Sequence, residues 1–350
     1  MKFRDILNRH ADEFIRAYHS KLTTDMRHSI YAIIQCQSGE NGYSQWQCGH
    51  CHHQLQSPLS CGHRSCPQCQ NQTTTQWLER QQAKLLPVDY FMVTFTLPAE
   101  LRGVAACHPK RVYQAMFSVA ADILKDFASR SPLIGDGIGF TSVLHTHNRR
   151  RDLHPHLHVV ISGGGYDSDK QQWKNNKNHY LFNAFALAKV WRGRLLSKLS
   201  GMDKLKLPVH LPEKWVVDCR YVGHGKPALQ YLSKYLYRGV LADKDIISED
   251  GESVVFSYLD SQTNTQKIRT LSVMKFLWLI LQHVLPKGFR RVRDYGFLRG
   301  NANKMLKQLQ YLFSVVGWSL MPASTEITKA VCLCPCCHSP MSCFGVFRPR

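Results

Sequence analysis

The chain has 350 residues, enough for one sizeable core with satellite modules, and 44% of them are hydrophobic. No apolar run approaches the roughly eighteen residues of a membrane span, and the opening MKFRDILNRHADEF lacks the apolar centre of an export signal, so a cytoplasmic protein is expected. With 45 Lys and Arg against 25 Asp and Glu, the formal charge is +20, a field that gathers polyanions and makes nucleic acid the leading partner.

In chain order, Ile6, Leu7, Phe14, Ile15 and Tyr18 fall at helical spacing and predict two short helices between residues 3 and 34. A Cys/His-rich segment follows, then a polar helix over 70–85 that ends before Pro87. YFMVTFTL at 90–97 predicts a strand halted by Pro98, and Met116, Phe117, Ala120 and Leu124 predict a helix over 109–130. GFTSVLHTH at 139–147 and HLHVVIS at 156–162 predict an antiparallel pair joined by a short basic connection. The second run is expected to end in a glycine turn at Gly163-Gly164-Gly165. Beyond it, a helix is expected over 182–199, a strand over 215–222, a helix over 227–238 with Pro227 in its first turn, and a strand over 253–260. An apolar stretch at 273–285 leads into a tract, 286–310, with seven Lys or Arg against the single acid Asp294. Arg149, Arg150 and Arg151 form a second basic cluster.

Ten of the thirteen cysteines crowd into residues 48–69 and 332–343, a distribution that fits metal binding better than disulfides. Cys48/Cys51 and Cys66/Cys69 form two CxxC pairs fourteen residues apart, and paired thiolates of this kind suit a tetrahedral structural zinc. Cys61, His63, His52 and His53 lie between the pairs as substitutes or as ligands of a second site. Cys334 and Cys337, with Cys332, His338 and Cys343 beside them, read either as half of a second zinc knuckle or as a tail of inert thiols.

His156 and His158 sit at i and i+2 on an expected strand, so both imidazoles project from one sheet face while Leu157 enters the opposite core. That arrangement can chelate a metal. Downstream, PALQYLSKYLYRG places Tyr231 and Tyr235 four residues apart on one helical face, flanked by Lys234 and Arg238, whereas Tyr237 falls on another face. A phenol is a weak nucleophile at neutral pH, and a metal that polarises a phosphodiester compensates for that weakness.

Taken together, these segments resemble the two-tyrosine, HUH-type rolling-circle transposases of bacterial insertion sequences. The resemblance runs over nearly the whole chain: CxxC…SCGHRSCPQC, LLPVDYFMVTFTLPAELR, LHTHNRRRDLHPHLHVVISGGGY, YLSKYLYRG, HVLPKGFRRVRDYGF and a terminal CPCC. It implies an α+β fold whose central antiparallel-sheet HUH nuclease core is flanked by helices, with an N-terminal helical, zinc-binding module and a basic C-terminal region. The implied division is 1–86 for the zinc-binding DNA module, 87–245 for the catalytic domain, 246–325 for the basic extension and 326–350 for the Cys-rich tail.

The resemblance further implies that His156 and His158 bind catalytic Mg²⁺ or Mn²⁺ beside structural Zn²⁺, and that Tyr231 and Tyr235 attack single-stranded DNA to leave a 5′-phosphotyrosine and a free 3′-OH. Lys234, Arg238, Lys287, Arg290, Arg291 and Arg293 are the expected DNA contacts, at the bacterial nucleoid. Two departures from the family pattern stand out: His147-Asn148-Arg149 where Trp-Gly-Gln is frequent, and Leu236-Tyr237 where Thr-His is frequent. They leave the third metal ligand to be chosen among His145 on the neighbouring strand, Asp152 and His154. A plasmid replication initiator or relaxase with the same chemistry, and a non-catalytic zinc-dependent DNA-binding regulator, are the alternative readings.

Overall fold

The computed structural model describes residues 2–69, 71–131, 134–135, 137–176, 179–236, 240–260, 263–315, 317 and 331–349; the side chains of 71–75, 231 and 233–236 lie outside the description. The helices are α1 (Phe3–Ala17), α2 (Thr24–Ile34), α3 (Asn71–Gln82), α4 (Arg102–Cys107), α5 (Pro109–Ser129), α6 (Ala184–Ser200), α7 (Lys226–Leu236), α8 (Val273–Leu281) and α9 (Asn303–Val315). Before the central sheet come β1 (Tyr43–Cys48) and β2 (Gln54–Pro58); β3 (Tyr90–Thr96), β4 (Gly139–His147) and β5 (Leu153–Ser162) follow. The remaining strands are β6 (Gly164–Asp167), β7 (Gln172–Asn175), β8 (Val217–Tyr221), β9 (Ile246–Glu249), β10 (Ser253–Leu259), β11 (Gln266–Ser272), β12 (Val292–Gly296) and β13 (Met341–Phe347).

The centre is a five-stranded antiparallel sheet in the order β12-β4-β5-β3-β8. Strand alternation gives it two different faces. Phe91, Val93 and Phe95 of β3, Phe140 and Leu144 of β4, and Leu157, Val159 and Ile161 of β5 point to one side, where they share a buried cluster with α5 and α6. Trp191 of α6 is fully buried there, and its indole N–H donates to the carbonyl of Thr96, so the ring is enclosed without an unsatisfied polar group. Local signals set the ends of these helices: Pro109 opens α5 at the position where its missing N–H costs little, and Asn183 caps α6 by accepting from the amide of Ala186.

On the opposite face, Met92, Val143 and Val160 pack with Trp77 of α3 and with Ala228, Leu229 and Leu232 of α7. The same face, further along β4 and β5, carries the histidines. α7 is therefore held against the sheet by an apolar stripe at i, i+1 and i+4, and fully burying one leucine of this kind stabilises by about 1.5–3 kcal/mol.

A second core joins the two outer parts of the chain. Phe3, Ile6, Leu7 and Phe14 of α1 and Ile30 and Ile33 of α2 are buried with Val254 and Phe256 of β10 and Phe276, Leu277 and Ile280 of α8. β9, β10 and β11 form their own three-stranded sheet beside it. A third small sheet, β13-β1-β2, pairs the last strand of the chain with the first.

The expected turn at Gly163–Gly165 takes another form. Gly164 and Gly165 belong to β6, paired with β7, and none of the three glycines has a positive φ. Their value is close approach: a Cβ at Gly164 would lie 2.3 Å from the carbonyl oxygen of Lys174, and one at Gly165 would lie 2.5 Å from that of Gly135. The apolar stretch at 273–285 is a helix, α8, over its first nine residues, and the basic tract supplies the edge strand β12.

Candidate metal centre and its cleft

The β4–β5 hairpin positions three imidazoles. His145 lies directly opposite His156, and Val143 opposite His158, so the i, i+2 pair on β5 meets a third ring from β4. Ring centroids are 5.1 Å apart for His145 and His156, 4.6 Å for His145 and His158, and 4.8 Å for His156 and His158. One ring nitrogen from each of the three lies within 4.8 Å of the others. The register of the hairpin shifts between His145 and His147, a bulge that ends regular pairing just past the cluster. Its loop closes through Asp152 N–H donating to Asn148 Oδ1, with Arg151 in the left-handed region at φ 73°.

Leu157, between the two β5 histidines, is buried in the α5–α6 core, as the alternation requires. Each β5 histidine is also held from behind. His156 Nδ1–H donates to the carbonyl of His154 at 2.7 Å, and His158 Nδ1 meets Thr94 Oγ1 at 3.0 Å from the neighbouring strand β3. Such contacts on Nδ1 orient the ring and leave Nε2 to face a metal. Burial drives the His156 pKa down to about 4, and burial with the neighbouring imidazoles drives those of His145 and His158 well below the usual value. All three rings are accordingly neutral at pH 7, the protonation state a metal ligand requires.

The other two candidates for the third ligand are engaged elsewhere. Asp152 Oδ1 accepts from Arg269 at 2.8 Å, and His154 Nδ1 accepts from Arg102 at 2.8 Å.

The cluster opens into a cleft of about 860 Å³ whose walls include, besides the histidines, Arg149, Arg151 and Arg220, and Pro227 and Ala228 in the first turn of α7. Tyr231 and Tyr235 lie on this helix, four and eight residues after Pro227. Their side chains and that of Lys234 lie outside the described residues, as do Tyr237 and Arg238 entirely.

The cysteines form two groups rather than the single expected quartet of Cys48, Cys51, Cys66 and Cys69. Cys66 and Cys69 gather with Cys36 and Cys61, whereas Cys48 and Cys51 gather with Cys334 and Cys337. The physical reason is the β1–β2 hairpin, which carries the first CxxC pair onto β13 and away from the second. Cys36 has no CxxC partner and so no spacing signature; its only signal in the sequence is its place just past α2, close upstream of the cysteine-rich segment.

In the first group Cys69 Sγ lies 3.5 Å from both Cys36 Sγ and Cys61 Sγ. Hydrogen bonds from Cys61 and Cys66 hold the Cys69 thiol far below its ordinary pKa. These separations exceed an S–S bond of about 2.05 Å and lie near the edge of about 3.8 Å of a tetrahedron with Zn–S about 2.3 Å. The donor set thus fits zinc.

Between Cys61 and Cys66, Arg64 donates to the carbonyls of Leu285, Pro286 and Phe289, which ties this group to the start of the basic tract. Within the tract, Arg290 and Arg293 line a cavity of about 700 Å³ with Lys125 and Arg299. Arg293 also stacks 4.2 Å over the Phe117 ring. Arg291 faces the other way: its charge contributes to lowering the pKa values of His145, His147 and His283. Lys287 is exposed, and its backbone N–H donates to Asp25. Of these expected DNA contacts, Arg290 and Arg293 thus share one cavity, whereas Arg291 lies beside His283.

A family model described as "Putative transposase" matches residues 139–305, and one described as "Transposase zinc-binding domain" matches residues 6–97. "Putative transposase y4qJ" of Sinorhizobium fredii (strain NBRC 101917 / NGR234) is 30% identical, over 95% of this chain and 92% of its own length. "Transposase for insertion sequence element IS801" of Pseudomonas savastanoi pv. phaseolicola is 27% identical, over 80% of this chain and 71% of its own. Among solved structures, conjugative relaxase TrwC in complex with oriT DNA aligns with a TM-score of 0.31 and 16% identity, covering 66% of this chain and 73% of that one. Among the described residues, no helix is long and apolar enough to cross a membrane.

Proposed function

The chain belongs to the IS91-type family of rolling-circle transposases, and on that footing we propose that it cuts and rejoins single-stranded DNA at element ends, with Tyr231 and Tyr235 as nucleophiles beside a divalent metal held by His145, His156 and His158. The observation that carries this reading is one cleft lined both by three buried imidazoles and by the first turn of the helix bearing both tyrosines.

In the proposed step, the phenol oxygen of one tyrosine forms a bond to the scissile phosphorus as the bond from phosphorus to the 3′ oxygen breaks. The phenolic proton ends on the departing oxygen as a 3′-OH, and the phosphodiester energy is kept in a 5′-phosphotyrosine, so no nucleoside triphosphate is consumed. Reversal with a different 3′-OH rejoins the strand, and the second tyrosine permits another cleavage before the first link is resolved. Lewis-acid polarisation of the scissile phosphate is the chemistry that Mg²⁺ or Mn²⁺ supplies when bound by the three histidines.

The protein's own groups supply the rest. Thr94 and the His154 carbonyl fix the rings, while Arg149, Arg151 and Arg220, the last two paired with Asp245 and Asp218, line the cleft where the flanking phosphates would lie. In this reading residues 1–86 form the zinc-binding DNA module, with Cys36, Cys61, Cys66 and Cys69 as ligands, and 87–245 carry the chemistry. Lys234, Arg238, Lys287, Arg290, Arg291 and Arg293 contact DNA, in the cytoplasm at the nucleoid. Neither a plasmid initiator nor a non-catalytic regulator is favoured by the family.

The test is a single-stranded oligonucleotide carrying an element end, incubated with the protein and Mn²⁺. A covalent protein–DNA adduct is expected, abolished by joint Tyr231→Phe and Tyr235→Phe substitution while binding persists. An undiminished adduct in that double variant overturns the assignment of the nucleophile.

A further inference from the structure

The zinc-binding family match ends at residue 97, yet the Cys48/Cys51 pair within it finds its partners about 280 residues later. Cys48 Sγ lies 3.4 Å from Cys337 Sγ, Cys51 Sγ lies 3.5 Å from Cys334 Sγ, and Cys51 Sγ and Cys337 Sγ are 3.5 Å apart. We infer that these four cysteines hold one zinc ion jointly, a second metal site that clasps the two ends of the chain together.

Two further features of the backbone support a shared tetrahedral site. The two segments Cys48-Gly49-His50-Cys51-His52-His53 and Cys334-Pro335-Cys336-Cys337-His338-Ser339 have the same local fold. In each, the residue after the second cysteine is left-handed, His52 at φ 57° and His338 at φ 58°. In each, that residue's N–H donates to the first cysteine's carbonyl, at 3.1 Å from His52 to Cys48 and 2.9 Å from His338 to Cys334. The first cysteine's N–H donates onward, to the carbonyl of His53 or of Ser339, at 2.9 Å in both. A non-glycine residue pays for the left-handed conformation, and two such residues in matching positions are accounted for by a common demand on the thiols.

Antiparallel pairing brings the two knuckles together. β1 and β13 pair from Tyr43 opposite Phe347 to Cys48 opposite Met341, so each knuckle sits at the same end of the shared sheet. Among the described residues, the apolar cluster of this sheet contains only Cys48, Cys334 and Met341 as buried residues, with Trp46, Leu55, Cys332 and Cys337 partly buried around them. A core of that size does not stabilise a three-stranded sheet unaided, and metal binding is the usual compensation.

The inference goes beyond DNA cleavage and stands whatever the histidine cleft does. It separates this pair of knuckles from two independent half-sites, because a shared ion is lost when either end is altered and is lost only once. Cysteine-bound zinc is counted on the purified full chain, with a His156→Ala, His158→Ala protein run in parallel to subtract any zinc taken by the histidine cleft, and free thiols are titrated alongside. The expected result is about two ions in the wild type and about one in each of three variants: Cys48→Ser with Cys51→Ser, Cys334→Ser with Cys337→Ser, and all four together. The ion that remains, at Cys36, Cys61, Cys66 and Cys69, serves as the internal check that the variants are folded. Limited proteolysis supplies the second readout: Cys48→Ser with Cys51→Ser should expose the distant 331–349 segment to cleavage. About two ions retained when Cys334 and Cys337 are replaced, separate losses from the two ends that add in the fourfold variant, or a wild type with one zinc and these four thiols oxidised to disulfides would each overturn the inference.

Discussion

His145 and His156 face each other across the β4–β5 ladder, their ring centroids 5.1 Å apart, at the last regular pair before the hairpin's register shifts. The cluster thus depends on strand pairing, and its properties follow from what lies behind each ring.

Thr94→Val removes the hydroxyl 3.0 Å from His158 Nδ1 while keeping the shape of the side chain. Loss of such an orienting contact weakens metal affinity about 10–100-fold. Titration calorimetry with Mn²⁺ should show that loss with unchanged circular dichroism; an unchanged affinity contradicts the role given to Thr94.

Three neutral imidazoles form a softer donor set than the carboxylates and waters that Mg²⁺ prefers. Mn²⁺ is therefore expected to bind more tightly than Mg²⁺ in direct competition. Tighter Mg²⁺ binding would show that oxygen ligands, not these rings, define the site.

Stability with the histidine cleft metal-free should fall in mildly acidic solution. The folded state holds His156 and His283 at about 4, against 6.5 for the free imidazole, so the unfolded chain binds more protons between those values. Stability is fully present above pH 6.5, and each unit of pH below it costs about 1.4 kcal/mol per proton taken up on unfolding, until the folded groups protonate near pH 4. Thermal denaturation of the zinc-loaded protein without added Mn²⁺ or Mg²⁺, from about pH 7.5 to about 4.5, beside a His156→Ala, His283→Ala control, checks this, and equal midpoint shifts in the two proteins would refute it.

How much of this was legible in the residues depends on the range of the signal. The i, i+2 histidines announce their shared face through strand periodicity alone, and the antiparallel partner strand made His145 a candidate, because both are nearest-neighbour relationships. Thr94 carried no signal: its role arises from β3 lying on the other side of β5, a pairing that periodicity cannot reveal. The division of the cysteines was hidden for the same reason, since Cys334 meets Cys51 only through strand pairing between chain ends. Three successive glycines at 163–165 predict a turn because flexibility is glycine's commoner use, whereas Gly164 and Gly165 here make room for neighbouring backbone.

Leu232 is fully buried between α7 and the sheet. Leu232→Ala should cost about 2–5 kcal/mol of stability. It should also reduce adduct formation while leaving Mn²⁺ affinity intact, because the histidines belong to other elements. Equal loss of both activities would place α7's contribution in general folding instead.

Arg290 is exposed at the basic cavity beside β12. If it neutralises one phosphate, Arg290→Ala lowers the slope of log affinity against log salt by about 0.7 for single-stranded DNA. Binding titrations at several salt concentrations measure this, and an unchanged slope removes Arg290 from the DNA path.

The claim on which the account turns is that a phenol from α7 and the bound cation occupy one cleft. Fluorotyrosine at position 231 or 235, observed by ¹⁹F resonance as Mn²⁺ is added, tests it without DNA or turnover. The account predicts that the resonance broadens beyond detection in the wild type and stays sharp when His156 and His158 are replaced by alanine. A resonance that stays sharp at both positions while Mn²⁺ saturates the histidines would contradict it.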